Sequence, residues 1–529
     1  MHTTRRLLPI FLLSAGLLRA SQVTVTVLAT TDLHGNLVPV DYVTGAAAPR
    51  GLAKIATLIR AARAENPNTI LIDCGDTIQG TPLESVYQSG AGKRGIRAPD
   101  PMMSGMNLLG YDAMTVGNHE YNVGLLSLAQ ARRDAKFPWL SANTTVAPGG
   151  RERPYLPYLV KTVAGVKVAI IGITTPVIPQ WEKPENLGTY RFTAPVGALR
   201  ATLATLRRLH HPDLVIVAAH SGLGRNLETG APEEPAENVV YQLASEVPGI
   251  DAIVYGHSHL QLEGRLVNNV LLVQPKNWGA SLARLDFTLE RDSKGSWKLT
   301  GKQSHLLPVT AQTKPAADLM ADAEFYEDAA QRYLGLPVAT SPHALSAARG
   351  REEDTAVVDA IQRVQLHYAQ ADVSFTALFN PDVRIPQGQV TVRQIAALYP
   401  YDNELIAIEG TGKMVKDALE NSARYYSNTG IPGFNYDMAE GVEYEIDRTR
   451  PEGDRVRNLR WKGAPLAPDQ KLRIAINNYR AGGSGGYTMF KDAKVLWRGS
   501  EGIRELVIRY YTERKSIPTE PTNNWKLIH

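Results

Sequence analysis

The stretch Thr115-Val116-Gly117-Asn118-His119-Glu120 places polar side chains directly after a short apolar run. The residues before it, 111–116, are typical of a short β-strand, and Gly117 permits a sharp exit from that strand. Asn118 offers an amide oxygen that can bind a divalent metal ion, and His119 can transfer a proton. Because an isolated Asn-His pair is more often a turn beside an ordinary histidine, the prediction of an active site depends on the other motifs.

Four further apolar runs end in side chains that can bind metal ions. Of the twelve histidines, five stand at the ends of such runs: His34, His119, His220, His257 and His259. Two carboxylates join them, Asp32 after residues 23–29 and Asp76 after residues 69–72. In open α/β sheets ligands bind at the carboxyl ends of strands, so we expect one crevice to collect these groups.

The spacing of these residues suggests how they hold metal. Asp32-x-His34 and His257-x-His259 each place two ligands two residues apart, and in an extended segment both would point to the same side. Each pair is therefore expected to grip a metal ion from one strand end. Oxygen and imidazole ligands suit Zn, Mn, Fe or Mg, and the single cysteine, Cys74, agrees with a site that lacks thiolates.

The length and net charge of the chain indicate how many domains it has and which kinds of partner its surface does not favour. A chain of 529 residues is longer than one hydrophobic core usually spans, which favours two domains. Lys and Arg number 57 against 53 Asp and Glu; without three cations of the N-terminal stretch, 54 minus 53 leaves +1. This balance gives no support for a nucleic acid polymer or a membrane surface as partner. A small nucleotide remains possible as substrate.

Residues 1–20 have the three parts of a secretory signal. Arg5 and Arg6 precede an apolar run over 7–18, and a small residue, Ala20, ends the stretch. We predict that this signal is cleaved and that the protein is periplasmic or secreted. Leu18 is not the small residue usually found two positions before the cleavage site, so an uncleaved anchor stays open as the alternative.

The remaining chain divides at a predicted helix. Residues 21–308 alternate apolar runs with helical or loop segments and form the predicted catalytic domain. Residues 309–333 are the predicted linker helix, because 315–333 has the Ala, Glu and Asp content of an exposed helix. Residues 334–529 form the predicted C-terminal domain. It contains no cluster of ligand-type residues, so no second metal site is expected there.

Together, five motifs resemble, in order, those of the calcineurin-like metallophosphoesterases: Asp32-x-His34, Gly75-Asp76, Gly117-Asn118-His119-Glu120, His220 and Gly256-His257-Ser258-His259. The whole chain is similar to the periplasmic 5′-nucleotidase superfamily, above all its 2′,3′-cyclic-nucleotide 2′-phosphodiesterase/3′-nucleotidase branch. The resemblance implies an α/β fold. An N-terminal αββα-sandwich metallophosphoesterase domain would be followed by a linker helix and a C-terminal α/β substrate-binding domain, which in relatives can rotate.

The resemblance also implies a centre of two divalent metal ions, such as Mn or Zn, with a bridging hydroxide. One ion would be held by Asp32, His34, Asp76 and His259, and the other by Asp76, Asn118, His220 and His257, with Asp76 as the bridge. Asn118 and His119 would contact the phosphoryl group and act in catalysis. His119 would steady the transition state or protonate the leaving oxygen. Three residues later many 5′-nucleotidases have Asp, whereas this chain has Asn122, as the cyclic-phosphodiesterase branch tends to.

Two aromatic loops are the main signals of the C-terminal half. Phe434 and Tyr479 lie among Gly and Asn residues, and from the residues alone flexible hairpins are the simpler interpretation. The resemblance instead implies that the two rings clamp a nucleobase. It also places Arg384 near a substrate-contacting segment, although Pro381 and Asp382 replace expected glycines. Where 5′-nucleotidases often have Gly-Gly-Asp-Gly, this chain has Gly483-Ser484-Gly485, without the acidic contact.

The sequence thus predicts an exported, metal-dependent phosphoric ester hydrolase that acts on small nucleotides as a monomer. The preferred activity is that of a 2′,3′-cyclic-nucleotide 2′-phosphodiesterase and 3′-nucleotidase. One alternative is a 5′-nucleotidase or UDP-sugar hydrolase, in which His259 would commonly be Gln or Asn. The other is an exported protein that binds nucleotides without catalysis, and the complete set of ligand motifs argues against it.

Overall fold

The computed structural model describes residues 22–90, 98–147, 154–180, 182–227, 230–232, 237–401, 403–428 and 430–528. The predicted signal, residues 1–20, lies outside these ranges. Among the helices within them, none combines the length and the apolar character that crossing a membrane requires.

The N-terminal half contains strands and helices in alternation. In chain order the strands are β1 (Gln22–Thr30), β2 (Thr69–Asp73), β3 (Ala113–Thr115), β4 (Trp139–Leu140), β5 (Thr144–Val146), β6 (Tyr158–Val163), β7 (Val166–Thr174), β8 (Tyr190–Phe192), β9 (Leu214–His220), β10 (Ala252–Tyr255), β11 (Leu262–Val267), β12 (Val270–Gln274), β13 (Ser281–Arg291) and β14 (Trp297–Pro308). The helices are α1 (Leu52–Glu65), α2 (Pro82–Gln88), α3 (Pro101–Leu109), α4 (Gly124–Asp134), α5 (Pro184–Leu187), α6 (Pro195–Leu209) and α7 (Val240–Glu246).

In the described ranges, these strands form two six-stranded mixed sheets and one small two-stranded sheet. The first has the order β14-β13-β1-β2-β3-β4 and the second the order β11-β12-β10-β9-β7-β6. β1, β2, β3 and β4 run parallel to their neighbours in that order, as do β7, β9, β10 and β12. The carboxyl ends of β1, β2 and β3 therefore share one edge of the first sheet, and those of β9 and β10 share one edge of the second.

The two sheets pack face to face with helices outside. The apolar layer between them includes Val27 and Ile72 from the first sheet and Ile170 and Ile216 from the second, all fully buried. Strands buried on both faces read as continuous apolar runs, which is why the sequence showed them clearly. On the outer face of the second sheet, helix α6 packs its buried residues at a spacing of three to four, including Leu199, Leu203 and Leu206. The predicted αββα sandwich is confirmed.

The helix that follows the sandwich, α8 (Ala317–Leu334), corresponds to the predicted linker helix. The expectation that it is exposed was wrong. Its apolar residues recur every three or four positions and form one buried face (Leu319, Ala323, Tyr326, Ala330 and Leu334). On that side, Tyr326 donates a hydrogen bond to the Pro99 carbonyl at 2.9 Å, and Ser104 of α3 donates to Asp322 at 3.0 Å. The helix is thus docked on the N-terminal domain.

The C-terminal half is a second α/β unit, as predicted. Its strands are β15 (Pro337–Ser341), β16 (Leu345–Ser346), β17 (Val373–Ala377), β18 (Arg384–Ile385), β19 (Gly388–Thr391), β20 (Glu404–Thr411), β21 (Asp437–Glu440), β22 (Glu443–Asp447), β23 (Val456–Trp461), β24 (Ala464–Pro465), β25 (Lys471–Asn477), β26 (Val495–Gly502) and β27 (Trp525–Ile528). Its helices are α9 (Ala356–Ala369), α10 (Val392–Ala396), α11 (Gly412–Ala423), α12 (Asn478–Ala481) and α13 (Ile503–Arg514). Among the described residues, the larger sheets have the orders β21-β17-β25-β20-β26 and β24-β23-β22-β27.

A pair of carboxyl groups fastens the C-terminal segment to α9. Asp359 is 3% exposed and accepts a hydrogen bond from the Thr522 amide at 2.7 Å, while Asp354 accepts one from the Asn524 amide at 3.1 Å. Burial, and then the charge of Asp354, raise the pKa of Asp359 from 3.8 to about 7. The folded state therefore binds a proton that the unfolded state has lost between these two pH values.

We predict that Asp359→Asn raises the free energy of unfolding at pH 8 by about 1–2 kcal/mol and brings no gain at pH 4. In the wild type this group's contribution is fully present below pH 4 and is lost as the pH rises through 7, whereas the amide does not titrate. Thermal unfolding at the two pH values measures the difference, with the exposed Asp469→Asn as matched control. An equal effect at both pH values would contradict the prediction.

Candidate metal centre

The ends of five strands meet at one edge of the sandwich. There the two sheets are joined by direct hydrogen bonds, from Thr115 Oγ1 to the Ala218 carbonyl at 3.0 Å and from Thr174 Oγ1 to the Val116 carbonyl at 2.7 Å. Gly117 is required for close approach, because a Cβ at this position would lie 2.2 Å from Asp76 Oδ1. Any larger residue at position 117 would clash with the Asp76 side chain. Close packing, rather than a sharp turn, therefore explains why this position is a glycine.

Six of the predicted ligands form two compact groups: Asp32, His34 and His259 in one, and Asp76, His220 and His257 in the other. Within each group the ligand atoms lie within 4.8 Å of one another. Asp76 stands between the groups, since its Oδ2 is 3.0 Å from His220 Nε2 and 3.8 Å from His34 Nε2. One carboxylate oxygen thus faces both groups, as a bridging ligand would.

Asn118 and His119 border the same cluster. Asn118 Oδ1 lies 3.0 Å from His220 Nε2, which adds an amide oxygen to the second group. His119 Nε2 lies 4.0 Å from Asp76 Oδ2, and the His119 side chain is 36% exposed. Its ring is therefore at the open side of the cluster, where a substrate would approach. The roles of these two residues stay predictions.

The ligand pairs are not extended, contrary to expectation. Asp32, His34, His257 and His259 have φ values of 49°, 46°, 73° and 55°, in the left-handed region, as does Asp76 at 58°. Such a conformation is costly for residues with a Cβ and is concentrated at functional sites. As a result His257 and His259 separate, each joining a different group, and the expectation that this pair grips one ion was wrong.

Hydrogen bonds behind the histidines decide which nitrogen faces the cluster. His220 Nδ1 lies 2.8 Å from the Cys74 carbonyl, and His34 Nδ1 lies 3.1 Å from the Gln79 carbonyl. A carbonyl can only accept, so both Nδ1 atoms carry a hydrogen, and in the neutral form of each ring Nε2 presents its lone pair to the cluster.

The donor set fits a divalent cation. In the neutral ring the lone pair of His220 Nε2 would face Asp76 Oδ2 and Asn118 Oδ1, both at 3.0 Å and both acceptors. His34 Nε2 lies 3.1 Å from His259 Nε2, so a second pair of ring nitrogens converges on the cluster. Converging acceptors repel one another unless a positive charge lies between them, and nitrogen with carboxylate and amide oxygen suits Zn or Mn.

The pKa shifts of His220 and Asp32 also indicate that the cluster favours a positive charge. Burial alone would lower the pKa of His220, but the Asp76 carboxylate raises it to about 10. Burial would raise the pKa of Asp32, yet the hydrogen bond and charge of His259 lower it to about 2. A bound cation would take over the role that a proton plays here.

Glu120, which stood in the opening motif without a role, organises both loops. It is fully buried, and its carboxylate accepts hydrogen bonds from the amides of Gly117 at 2.7 Å, Asp76 at 2.9 Å and Thr77 at 2.6 Å. Burial, and then the charge of Asp76, raise its pKa. Its position in the motif was visible in the sequence, but its partners 43 and 44 residues away were not.

Asn122, which stands where many 5′-nucleotidases have Asp, also has a partner. Asn122 Oδ1 is hydrogen-bonded to His119 Nδ1, and Asn122 Nδ2 donates to Glu182 Oε2. Burial raises the pKa of Glu182, against the opposing effect of hydrogen bonds from Asn186, the Lys183 amide and Asn122. No signal in the sequence pointed to Glu182, because it lies 60 residues from Asn122 in a segment without a motif.

The two predicted clamp residues share one support. Phe434 and Tyr479 are 42% and 48% exposed, and the guanidinium carbon of the buried Arg480 lies 5.6 Å from the centre of the Tyr479 ring. This buried guanidinium forms a two-contact ion pair with Asp437, each contact 2.8 Å, and donates to the Phe434 carbonyl at 2.7 Å. The turn that carries Phe434 and the short helix α12 that carries Tyr479 are therefore fixed to one ion pair, which disagrees with the interpretation as flexible hairpins.

These loops lie against the catalytic domain. Burial raises the pKa of Tyr479 against the charge of Arg480, and the charge of Glu237, whose Oε1 lies 3.6 Å from His257 Nε2, adds to the rise. Lys183 and Glu404 form an ion pair of 3.2 Å between the two halves of the chain. Arg384 is exposed and donates to the carbonyls of Pro381 and Val383 in its own loop, so its predicted contact with substrate stays a prediction.

Two protein families match the two halves of the chain. The calcineurin-like phosphoesterase family matches residues 25–261, and the family described as 5′-nucleotidase, C-terminal domain, matches residues 337–492. The 2′,3′-cyclic-nucleotide 2′-phosphodiesterase/3′-nucleotidase of Salmonella typhimurium is 29% identical over 97% of this chain and 90% of its own length. The trifunctional nucleotide phosphoesterase protein YfkN of Bacillus subtilis is also 29% identical over 96% of this chain, which spans 39% of that protein's length.

One solved structure supports the assignment of the chain to the calcineurin-like phosphoesterases. The crystal structure of the calcineurin-like phosphoesterase YfkN from Bacillus subtilis is 32% identical, with a TM-score of 0.52, and covers 59% of this chain and 99% of the solved one. The chain belongs to the calcineurin-like phosphoesterases, and it joins their catalytic domain to a 5′-nucleotidase C-terminal domain.

Proposed function

We propose that the chain hydrolyses 2′,3′-cyclic nucleotides and 3′-nucleotides in a metal-dependent reaction. The observation that carries the proposal is the position of Asp76, whose Oδ2 lies 3.0 Å from one ligand group and 3.8 Å from the other. The family supports metal-dependent hydrolysis of phosphoesters, and the name of the Salmonella relative supports this substrate class. Asn122 and the Gly483-Ser484-Gly485 turn point the same way.

The metal ions would be held as the resemblance implies. Asp32, His34, Asp76 and His259 would hold one, and Asp76, Asn118, His220 and His257 the other. When bound, the two ions would supply an acidified water as nucleophile and positive charge for the phosphoryl oxygens.

His119 and Asn118 would act on the substrate itself. His119 lies at the open side of the cluster, with Nε2 4.0 Å from Asp76 Oδ2, and would face the phosphoryl group there. As water attacks phosphorus and the bond from phosphorus to the ribose oxygen breaks, His119 would give its proton to that leaving oxygen. Asn118 would hold a phosphoryl oxygen through its amide hydrogens while its Oδ1 binds metal.

One centre can serve both proposed steps. Hydrolysis of a 2′,3′-cyclic phosphodiester breaks the bond to the 2′ oxygen and leaves a 3′-nucleotide. The second step breaks the bond from the same phosphorus to the 3′ oxygen. These oxygens are on adjacent ribose carbons, so a small shift of the sugar presents each in turn to His119.

The C-terminal loops would hold the nucleobase. Phe434 and Tyr479 expose their rings on a turn and a short helix that Arg480 holds together, and aromatic stacking accepts any base. The proposed location of the protein is the periplasm or the exterior, a proposal that rests only on the signal-like residues 1–20. We propose a monomer, since the ligands of both groups come from one chain.

The proposed activity is tested by phosphate and nucleoside release from 2′,3′-cyclic AMP, 3′-AMP and 5′-AMP. We expect turnover of the first two with added Mn²⁺ or Zn²⁺, its loss after chelation, and recovery when metal is returned. A preference for 5′-AMP would favour the 5′-nucleotidase alternative. No turnover of any substrate with metal present would contradict catalysis and favour a binding protein.

We predict that Tyr479→Ala raises KM for 3′-AMP roughly 5- to 150-fold, which corresponds to loss of one stacking contact. The KM for p-nitrophenyl phosphate, which offers no nucleobase, should stay nearly constant. Phe325→Ala removes a ring of similar exposure, 38%, from the linker helix and serves as control. Equal effects on both substrates would remove Tyr479 from the base site.

A further inference from the structure

The His119 ring is held by a chain of two side chains. Asn122 follows three residues later in a turn, in which the Asn122 amide donates to the His119 carbonyl at 3.2 Å. This turn brings the Asn122 side chain beside the His119 ring, where Oδ1 meets Nδ1. On its other side Asn122 Nδ2 meets Glu182 Oε2. A carboxylate thus stands behind the amide.

Glu182 is fixed more firmly than Asn122. It is 8% exposed, and its Oε1 accepts hydrogen bonds from the Lys183 amide at 2.7 Å and from Asn186 Nδ2 at 2.8 Å. Its own amide donates to the carbonyl of the fully buried Ile178 at 3.0 Å. Oε1 is therefore committed to two donors, and Oε2 is the oxygen left to face Asn122.

This arrangement determines the orientation of the Asn122 amide. A carboxylate oxygen accepts hydrogen bonds, so it selects the NH₂ group of Asn122 and turns the carbonyl oxygen toward His119. That oxygen in turn requires a hydrogen on His119 Nδ1. Nε2, which lies 4.0 Å from Asp76 Oδ2, is then the nitrogen directed at the cluster.

We infer that Glu182 is a positioning residue for His119, and that it replaces, through Asn122, the carboxylate that many 5′-nucleotidases have at the position of Asn122. The inference rests on the proposed function. The three side chains form a His-Asn-Glu relay. Because Glu182 accepts a hydrogen bond from the Asn122 NH₂ group, the Asn122 oxygen is the atom that accepts one from the imidazole.

The relay predicts a specific effect of Glu182→Gln. Lys183 and Asn186 keep the Gln oxygen on their side, so the new NH₂ group faces Asn122 and turns its amide over. Asn122 then presents NH₂ to His119 Nδ1, which opposes the doubly protonated ring that can give up a proton from Nε2 and favours the neutral tautomer with its hydrogen on Nε2. We expect kcat for 3′-AMP to fall at least about 10-fold with little change in KM. The loss should be smaller for p-nitrophenyl phosphate, whose leaving group needs no proton.

A double variant separates the relay from a merely structural role. In Asn122→Asp the new carboxylate opposes Glu182, so this single variant should also lose activity. When Asn122→Asp is combined with Glu182→Gln, the Gln NH₂ donates to the new carboxylate, which accepts from His119 Nδ1. We expect the double variant to recover kcat to within a few-fold of wild type. The exposed Glu185→Gln, three residues away, is the matched control, and thermal unfolding and metal content verify that each variant is intact.

Nitrogen spectra of protein labelled with ¹⁵N-histidine give a second readout, with His119→Ala to assign the signal. We expect hydrogen on Nδ1 in the wild type and a shift toward Nε2 in Glu182→Gln. An unchanged tautomer, a wild-type kcat in Glu182→Gln, or a double variant no better than Asn122→Asp would each overturn the relay. If the wild type hydrolyses no phosphoester, the proposed function fails, and the spectra still decide the inference about Glu182.

Discussion

The centre depends on the buried carboxylate of Glu120. It accepts hydrogen bonds from the amides of Gly117, Asp76 and Thr77 and so ties the loop after β2 to the turn after β3. The same contacts place Asp76 between the two ligand groups and let Oδ1 of Asp76 accept from the His119 amide at 2.8 Å. A carboxylate buried without such donors would cost several kcal/mol. The loops and Glu120 are therefore stable only together.

The ligand loops store strain that the surrounding structure must offset. Five predicted ligands are left-handed, at roughly 1–2 kcal/mol each, and acceptor atoms face one another across the cluster. Backbone hydrogen bonds between the loops hold this geometry, for example from Asp32 to Gly75 and from His34 to Asp76, each 2.9 Å. These hydrogen bonds do not neutralise the negative potential at the centre. A pair of cations would do so.

The sequence predicted well those features that depend on local pattern. Buried parallel strands appear as apolar runs, and polar side chains follow them where strand ends meet, so the clustering of the predicted ligands could be expected from the order of the motifs. Three kinds of feature could not be predicted. Glu182 and Arg480 act through partners distant in the chain. The left-handed backbone at His257 and His259 has no local signature, so the extended pair was a wrong expectation. The buried face of α8 was hidden by its polar composition, although its apolar spacing was present.

The central claim is that these strand ends build one site for two metal ions with Asp76 between them. Anomalous diffraction from crystals soaked in Mn²⁺ tests it most directly, because it locates each ion without reference to activity. The account predicts two peaks about 3.5–4 Å apart. One should lie within the group of Asp32, His34 and His259, the other within the group of Asp76, His220 and His257, and Asp76 should contact both. A single peak, or two ions that do not share Asp76, would contradict it.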